Sequence, residues 1–219
     1  MAINNPLLKH MLTAAAILGG FAVLGTGLVG LTFETTKERI ADNEREHLLR
    51  SLNQLVPEDS HDNDIYADHI QVDNREWLGA KKPVAIYRAR QGETPVAAII
   101  AAQAPDGYSG TIKLLVAIKE DGELAGVRVV GHKETPGLGD AIEISRSDWI
   151  LQFDGKSLTN PSRSGWAVVK DGGEFDQLTG ATITPRAIVK AVHKALTYFA
   201  NHKQQLFSQP SDHEVSHGG

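Results

Sequence analysis

The order of apolar and polar positions divides the chain into stretches of different period. Residues 11–33 form an uncharged, mostly apolar run of 23 residues. At about 1.5 Å of rise per residue, such a run can cross a hydrocarbon core of about 30 Å as a helix. Gly19, Gly20, Gly25, Gly27 and Gly30 are tolerated in a membrane helix and leave small surfaces for another helix to approach. The run exceeds a signal-peptide core, and no small-x-small cleavage site follows it before Glu34. An uncleaved anchor is therefore expected over residues 1–33. From 34 to 57 charged residues alternate with Ile40, Leu48, Leu49, Leu52 and Leu55, which predicts an amphipathic helix ending ahead of Pro57. Residues 58–73 are polar and acidic, and predict an exposed loop.

The period then changes. Residues 83–89, 96–102, 112–118 and 124–130 are rich in β-branched and small apolar side chains and predict strands. Residues 119–123 read as the hairpin connection between the last two. Residues 140–153 predict a helix, 166–169 a short strand, and 185–200 a final helix. Ile188, Val192, Leu196 and Phe199 form one apolar face of that helix. Strands grouped ahead of helices predict an α+β fold with a mostly antiparallel sheet and flanking helices. The layout is an anchor at 1–33, a connecting helix at 34–57, a folded domain at 58–207 and a disordered polar tail at 208–219, where His213 and His217 read as tail residues.

Composition removes several chemistries. The chain has no cysteine, which excludes disulfides, thiolate catalysis and iron–sulfur ligation. Its net charge is −5, and no basic run interrupts the acidic balance, which argues against nucleic acid as a partner. His61, Asp62, Asp64 and His69 match no standard metal spacing, and no metal is expected. No nucleophile–histidine–carboxylate arrangement stands out, so no catalytic side chain is assigned.

One run carries more information. Asp176-Gln177-Leu178-Thr179-Gly180-Ala181-Thr182 is followed at once by Ile183-Thr184-Pro185. Gly180 and Ala181 leave room for a bulky group to reach the backbone. Thr184 suits an N-cap and Pro185 a first helical position. Thr182 then stands just ahead of a helix N-terminus, where backbone N–H groups and the dipole favour an anion such as a phosphate. The run resembles the flavinylation motif of FMN-binding domains. A second run, Glu134-Thr135-Pro136-Gly137-Leu138-Gly139, resembles a segment of the same domains. Together with Ser147-Asp148-Trp149-Ile150 and the stretch 168–176, it makes the chain similar to the G-subunit family of Rnf (also called Rsx) electron-transport complexes. The resemblance extends from the anchor to about Phe199.

The resemblance implies a membrane-anchored flavoprotein subunit that passes electrons within a complex coupling electron transfer to ion translocation. It implies FMN joined through its phosphate to Thr182 by a separate flavin transferase, with Asp176 as a recognition residue for that enzyme. Thr179, Gly180 and Ala181 are expected around the phosphate. Glu134, Thr135, Gly137 and Leu138 are expected in a facing loop, where Thr135 hydrogen-bonds the flavin and Leu138 packs on its ring. The implied partners are other membrane and peripheral subunits, the transferase and membrane lipid. Two other readings are weighed: the C subunit of the sodium-translocating NADH:quinone oxidoreductase, and a flavin-free anchored assembly module in which Thr182 is only a turn residue. The charges flanking the anchor favour a cytoplasmic C-terminal side, whereas the resemblance places the domain in the periplasm, outside a bacterial inner membrane.

Overall fold

The computed structural model describes residues 6–212 and divides the chain into two units, Met1–His47 and Leu48–Gly219. His213 and His217 lie outside the described residues. One helix, α1 (Pro6–Leu55), runs through the expected anchor and the expected connecting helix without a break. It is long and apolar enough to cross a membrane, and its large side chains from Leu7 to Phe33 are exposed. Thr13, Thr32 and Thr36 turn their hydroxyls back to the carbonyls of Lys9, Leu28 and Thr32, four residues earlier. That satisfies each hydroxyl within the helix, as an apolar surround requires.

The second unit begins with the last two turns of α1, so the folded domain starts at Leu48 rather than after Pro57. Its centre is a five-stranded antiparallel meander in the order β1 (His69–Val72), β2 (Val84–Gln91), β3 (Thr94–Gly107), β4 (Gly110–Lys119), β5 (Leu124–Gly131). The short helix α2 (Arg75–Leu78) joins β1 to β2. The long helix α3 spans Ile183–Ser208. This is the expected α+β architecture.

Both faces of the central strands are covered, which is why their sequences run apolar without alternation. Ile86, Ile100, Leu114 and Val116 face the cluster that holds α3. Tyr87, Ile99, Leu115 and Ala117 face the other way, onto Leu52, Leu55 and Val56. In α3, Ile188, Val192, Leu196 and Phe199 are all buried in the first cluster, as their spacing predicts.

Four expectations need correction. Residues 58–73 are not all loop: Ile65 and Ile70 are buried, and β1 pairs with β2. Residues 140–153 form two 3-10 turns, Gly139–Ile142 and Asp148–Phe153, instead of one helix. Ser147 separates them: its hydroxyl donates to the Ala141 carbonyl and accepts from the Trp149 N–H, capping a fresh turn. Residues 166–169 supply only a single bridge, Val168 to Phe175, outside the sheet. The domain also does not end at 207. Ser208 is helical, Ser211 is buried, and Asp212 Oδ2 accepts the Gln71 N–H at 2.7 Å, covering a donor on the edge strand.

Candidate functional site

The two sequence runs meet at the N-terminus of α3. A pocket of about 330 Å³ is lined by Glu134, Thr135, Leu138 and Gly139 from one run and by Gly180 to Thr184 from the other. Its size lies within the range of small-molecule sites. Tyr108, at the β3–β4 hairpin tip, completes the wall.

The turn ahead of α3 is tight. The Ala181 N–H bonds the Leu178 carbonyl at 3.1 Å, and Gly180, at φ +80°, takes the third corner as a type II turn demands. A side chain at Gly180 would also meet Leu138 Cδ2 at 3.0 Å. The two runs are therefore in contact. Thr182 follows the turn, half-buried, on the pocket wall. It occupies the N-cap position but makes no side-chain capping bond. Thr179 sits on the outer corner, exposed and outside the pocket lining. Gly137 also lies outside the lining, exposed beside it.

Thr184 does not cap the helix as its sequence position suggests. It is the second residue of α3, fully buried, and its Oγ1 donates to Glu134 Oε2 at 2.5 Å. The other carboxylate oxygen accepts the Ser109 N–H at 3.0 Å. Glu134 thus ties three elements together: the hairpin tip, its own loop and the start of α3. It lines the pocket, but both of its oxygens are already held by protein donors. Gly139 makes this possible, because a Cβ there would come within 2.9 Å of Glu134 Cβ.

Two further bonds orient this end of the site. The Glu134 N–H donates to His132 Nδ1 at 3.0 Å, which leaves the ring proton on Nε2, 2.6 Å from Glu143 Oε1. That hydrogen bond, with a lesser one from Ser145, holds the Glu143 carboxyl below the usual carboxylate range. On the opposite side, Trp149 Nε1 donates to the Asp176 carbonyl at 2.8 Å, and Gln152 Oε1 accepts the Asp176 N–H at 2.8 Å. The turn containing Ser147-Asp148-Trp149-Ile150 therefore holds the start of the threonine run by its backbone. The Asp176 side chain is exposed and has no partner among the described residues.

The donor set fits a phosphate-bearing aromatic ligand. No lysine or arginine lines the pocket, so an anion there relies on free N–H groups at the start of α3 and on the helix dipole. Pro185 has no N–H, which confines the donors to the residues before it and to Arg186 behind it. Tyr108, Leu138 and Ile183 are 68%, 45% and 46% exposed, and all three line the pocket. Large apolar side chains left open at one mouth suit the faces of a planar ring. Tyr108 and Ile183 are the residues that sequence reasoning missed. A lone tyrosine in Gly-Tyr-Ser-Gly reads as a hairpin tip, and only the fold carries it to the pocket.

Comparison with known proteins agrees with this geometry. Residues 107–197 match the FMN-binding domain family, and residues 1–55 match the RnfG N-terminal region. The chain is 46% identical over 215 residues to the G subunit of the ion-translocating oxidoreductase complex of Shewanella oneidensis, covering 98% of this chain and 100% of that one. It is 50% identical over 200 residues to the protein of the same name from Pseudomonas aeruginosa, covering 91% and 94%. The Vibrio cholerae protein, again of the same name, is 48% identical over 205 residues, covering 92% and 98%. With relatives this similar along nearly its whole length, the chain belongs to the family of G subunits of ion-translocating oxidoreductase complexes.

Proposed function

We propose that this chain is the electron-carrying flavoprotein subunit of an ion-translocating oxidoreductase complex, with one FMN joined covalently to Thr182. The observation that carries the reading is the meeting of the 134–139 and 180–184 runs in one pocket at the mouth of α3. Bound FMN exchanges one or two electrons, while the protein supplies position and electrostatics.

Each residue has a part. Thr182 offers a hydroxyl with no capping bond. In forming the phosphoester, the Thr182 oxygen would keep its bond to carbon and replace the leaving group on the phosphorus of the flavin donor. The hydroxyl proton departs with that group, so that the product weighs the chain plus FMN less one water. Thr182, Ile183 and Thr184 present their N–H groups to the phosphate. Leu138 and Tyr108 flank the ring, and Thr135 bonds its polar edge. Glu134 sets the distance between the loop and the helix rather than contacting the flavin through a free oxygen. The exposed Asp176 carboxylate is available to a flavin transferase. Residues 11–33 contain no acid, base or histidine. Ionisable groups inside membranes mark ion paths, so other subunits move the ion while this one moves electrons. Its domain stands in the periplasm of a bacterial inner membrane.

Intact mass after denaturation tests the assignment. Full-length protein made with a flavin transferase should carry the mass of one FMN less one water, and Thr182→Ala should lose it while staying folded. An adduct retained in Thr182→Ala and mapped to Thr179 would overturn it.

A further inference from the structure

Beside the flavin pocket, α2 and the second and third turns of α3 enclose a separate groove of about 420 Å³. Arg75, Lys81, Lys82, Lys190 and Lys194 line it, against two acids, Glu76 and Asp106. The chain as a whole carries −5, so this is a basic island on an acidic protein. Its cations come from two segments far apart in the sequence, which is why no basic run announces it. Two of them are held. Lys190 Nζ donates to Asp106 Oδ2 at 2.9 Å, and Lys194 Nζ to the Glu76 carbonyl at 2.8 Å. Arg75, Lys81 and Lys82 are exposed and form no ion pair among the described residues. Trp77 forms part of the wall.

The groove and the flavin pocket share two structural elements. Asp106 and Thr111 line the groove, while Tyr108, between them on the same hairpin tip, lines the pocket. Ile183 and Thr184 line the pocket, while Ala187 and Lys190, further along the same helix, line the groove. Ile183 and Ala187 are one turn apart, about 6 Å along the axis.

We propose that this groove is the docking surface for an electron-transfer protein that presents an acidic face, seating it beside the flavin pocket. The proposal rests on the reading of the chain as a flavin electron carrier. Redox encounters between proteins are small and brief, and charge complementarity governs their on-rate more than their lifetime. Three unpaired cations around a concave wall attract an acidic loop from a distance. The groove begins at Ala187, one turn along α3 from Ile183 of the pocket, so a partner seated there lies beside the redox centre.

The test uses flavinylated full-length protein in nanodiscs of neutral lipid. An acidic cytochrome b5 and a basic mitochondrial cytochrome c serve as probes. The flavin is first reduced by two electrons from dithionite, whose excess is then removed. Two cytochromes then take its two electrons, each ferric haem becoming ferrous, and the flavin returns to its oxidised form with release of its protons. At low salt, Arg75→Gln/Lys81→Gln/Lys82→Gln should slow the acidic cytochrome about tenfold or more. The gap should close as salt shortens the Debye length to a few ångströms, and the basic cytochrome should not slow at all. Titration calorimetry with oxidised cytochrome b5 should show the same loss in affinity, and this readout needs no flavin. A chain that takes up no flavin when made with the transferase, yet binds cytochrome b5 through these cations, would sink the electron-carrier reading and leave the groove standing. Equal rates and equal affinities for wild type and variant would overturn the docking proposal. So would an effect of the triple variant seen only in discs containing anionic lipid, which would make this a membrane-facing surface.

Discussion

Thr184→Val removes one hydroxyl and keeps the branched shape of the side chain. In the native protein that hydroxyl is fully buried and donates to Glu134 Oε2 at 2.5 Å. Glu134 is itself only 5% exposed, so water cannot replace the lost donor. A hydrogen bond to a carboxylate in such a place contributes roughly 1.5–3 kcal/mol, because its loss leaves a desolvated oxygen without a partner. In a domain of this size, each kcal/mol moves the melting temperature by about 2–4 °C, so the expected fall is roughly 3–12 °C. Thr184→Ser keeps the donor and should lose much less. All three tryptophans, Trp77, Trp149 and Trp166, lie in the second unit. Their fluorescence therefore follows the unfolding of that unit by urea or heat, whatever the membrane helix does. A double-mutant cycle with Glu134→Gln isolates the pair, with an expected coupling of about 1–2 kcal/mol. Because the bond also fixes the start of α3 against the facing loop, the visible spectrum of the bound flavin should change in Thr184→Val. A loss below about 0.5 kcal/mol with strict additivity would refute the strut role argued for Glu134.

Three more outcomes follow from the same geometry. Gly180→Ala forces an L side chain into φ +80° and brings its Cβ to 3.0 Å from Leu138 Cδ2. It should cost about 1 kcal/mol or more in urea unfolding and shift the flavin spectrum, whereas an unchanged spectrum would mean that Leu138 does not touch the ring. His193 packs against Trp166, with ring centroids 5.2 Å apart and planes tilted by 34°, and burial, helped by the Arg163 charge, holds it below the usual imidazole range. The unfolded chain therefore protonates first, so this contribution is complete above about pH 6.5 and is lost as pH falls below that value. His193→Phe should flatten the change in urea midpoint between pH 7.5 and 5.5, and an identical slope would remove His193 as its source. Added protease should digest the C-terminal domain in spheroplasts whose outer face alone is open. Full protection there would put the domain in the cytoplasm, as the flanking charges suggest.

Much of the fold is legible in the sequence because strong local patterns agree with the tertiary outcome. The apolar runs behind β2 to β5 and the face of α3 needed no long-range information. The β1 strand escaped notice because it is only four residues long, follows an acidic stretch, and becomes a strand through pairing with Val84 to Tyr87. The segment 140–153 has the apolar content of a helix, and Ile142, Trp149, Ile150 and Phe153 are indeed buried. What splits it is the pair of bonds at Ser147, and a serine there looks like any other polar residue. The site divides the same way. Glycines, threonines and the following proline mark the turn and the helix start locally. Thr184 has the sequence context of a cap, yet its hydroxyl is taken by Glu134, fifty residues away. No local rule foresees such a partner. The basic groove escaped for the same reason, since its cations come together only when α2 packs on α3.

The two ends of α3 explain why this helix suits a fixed carrier. At its C-terminal end the last carbonyls would otherwise lack partners. Arg88, itself buried, donates to the carbonyls of Leu206 and Gln209, and Arg90 donates to that of Phe207. Asp68 takes both arginines, with Oδ1 bonded by Arg88 Nε at 2.7 Å and Oδ2 by Arg90 Nε at 2.8 Å. Two cations from β2 thus meet the negative pole of the helix dipole. At the other end no basic side chain lines the pocket, and the positive pole is left for an anion. Glu134 approaches that pole, but it spends its oxygens on Thr184 and Ser109 and does not compete for the helix N–H groups. The helix is therefore pinned lengthwise to the sheet at both termini, while its positive end stays open. A phosphoester at Thr182 would inherit that rigidity. The flavin's position relative to the hairpin tip and the facing loop would then be set by the bonds of Glu134, Arg88 and Arg90, not by a mobile loop.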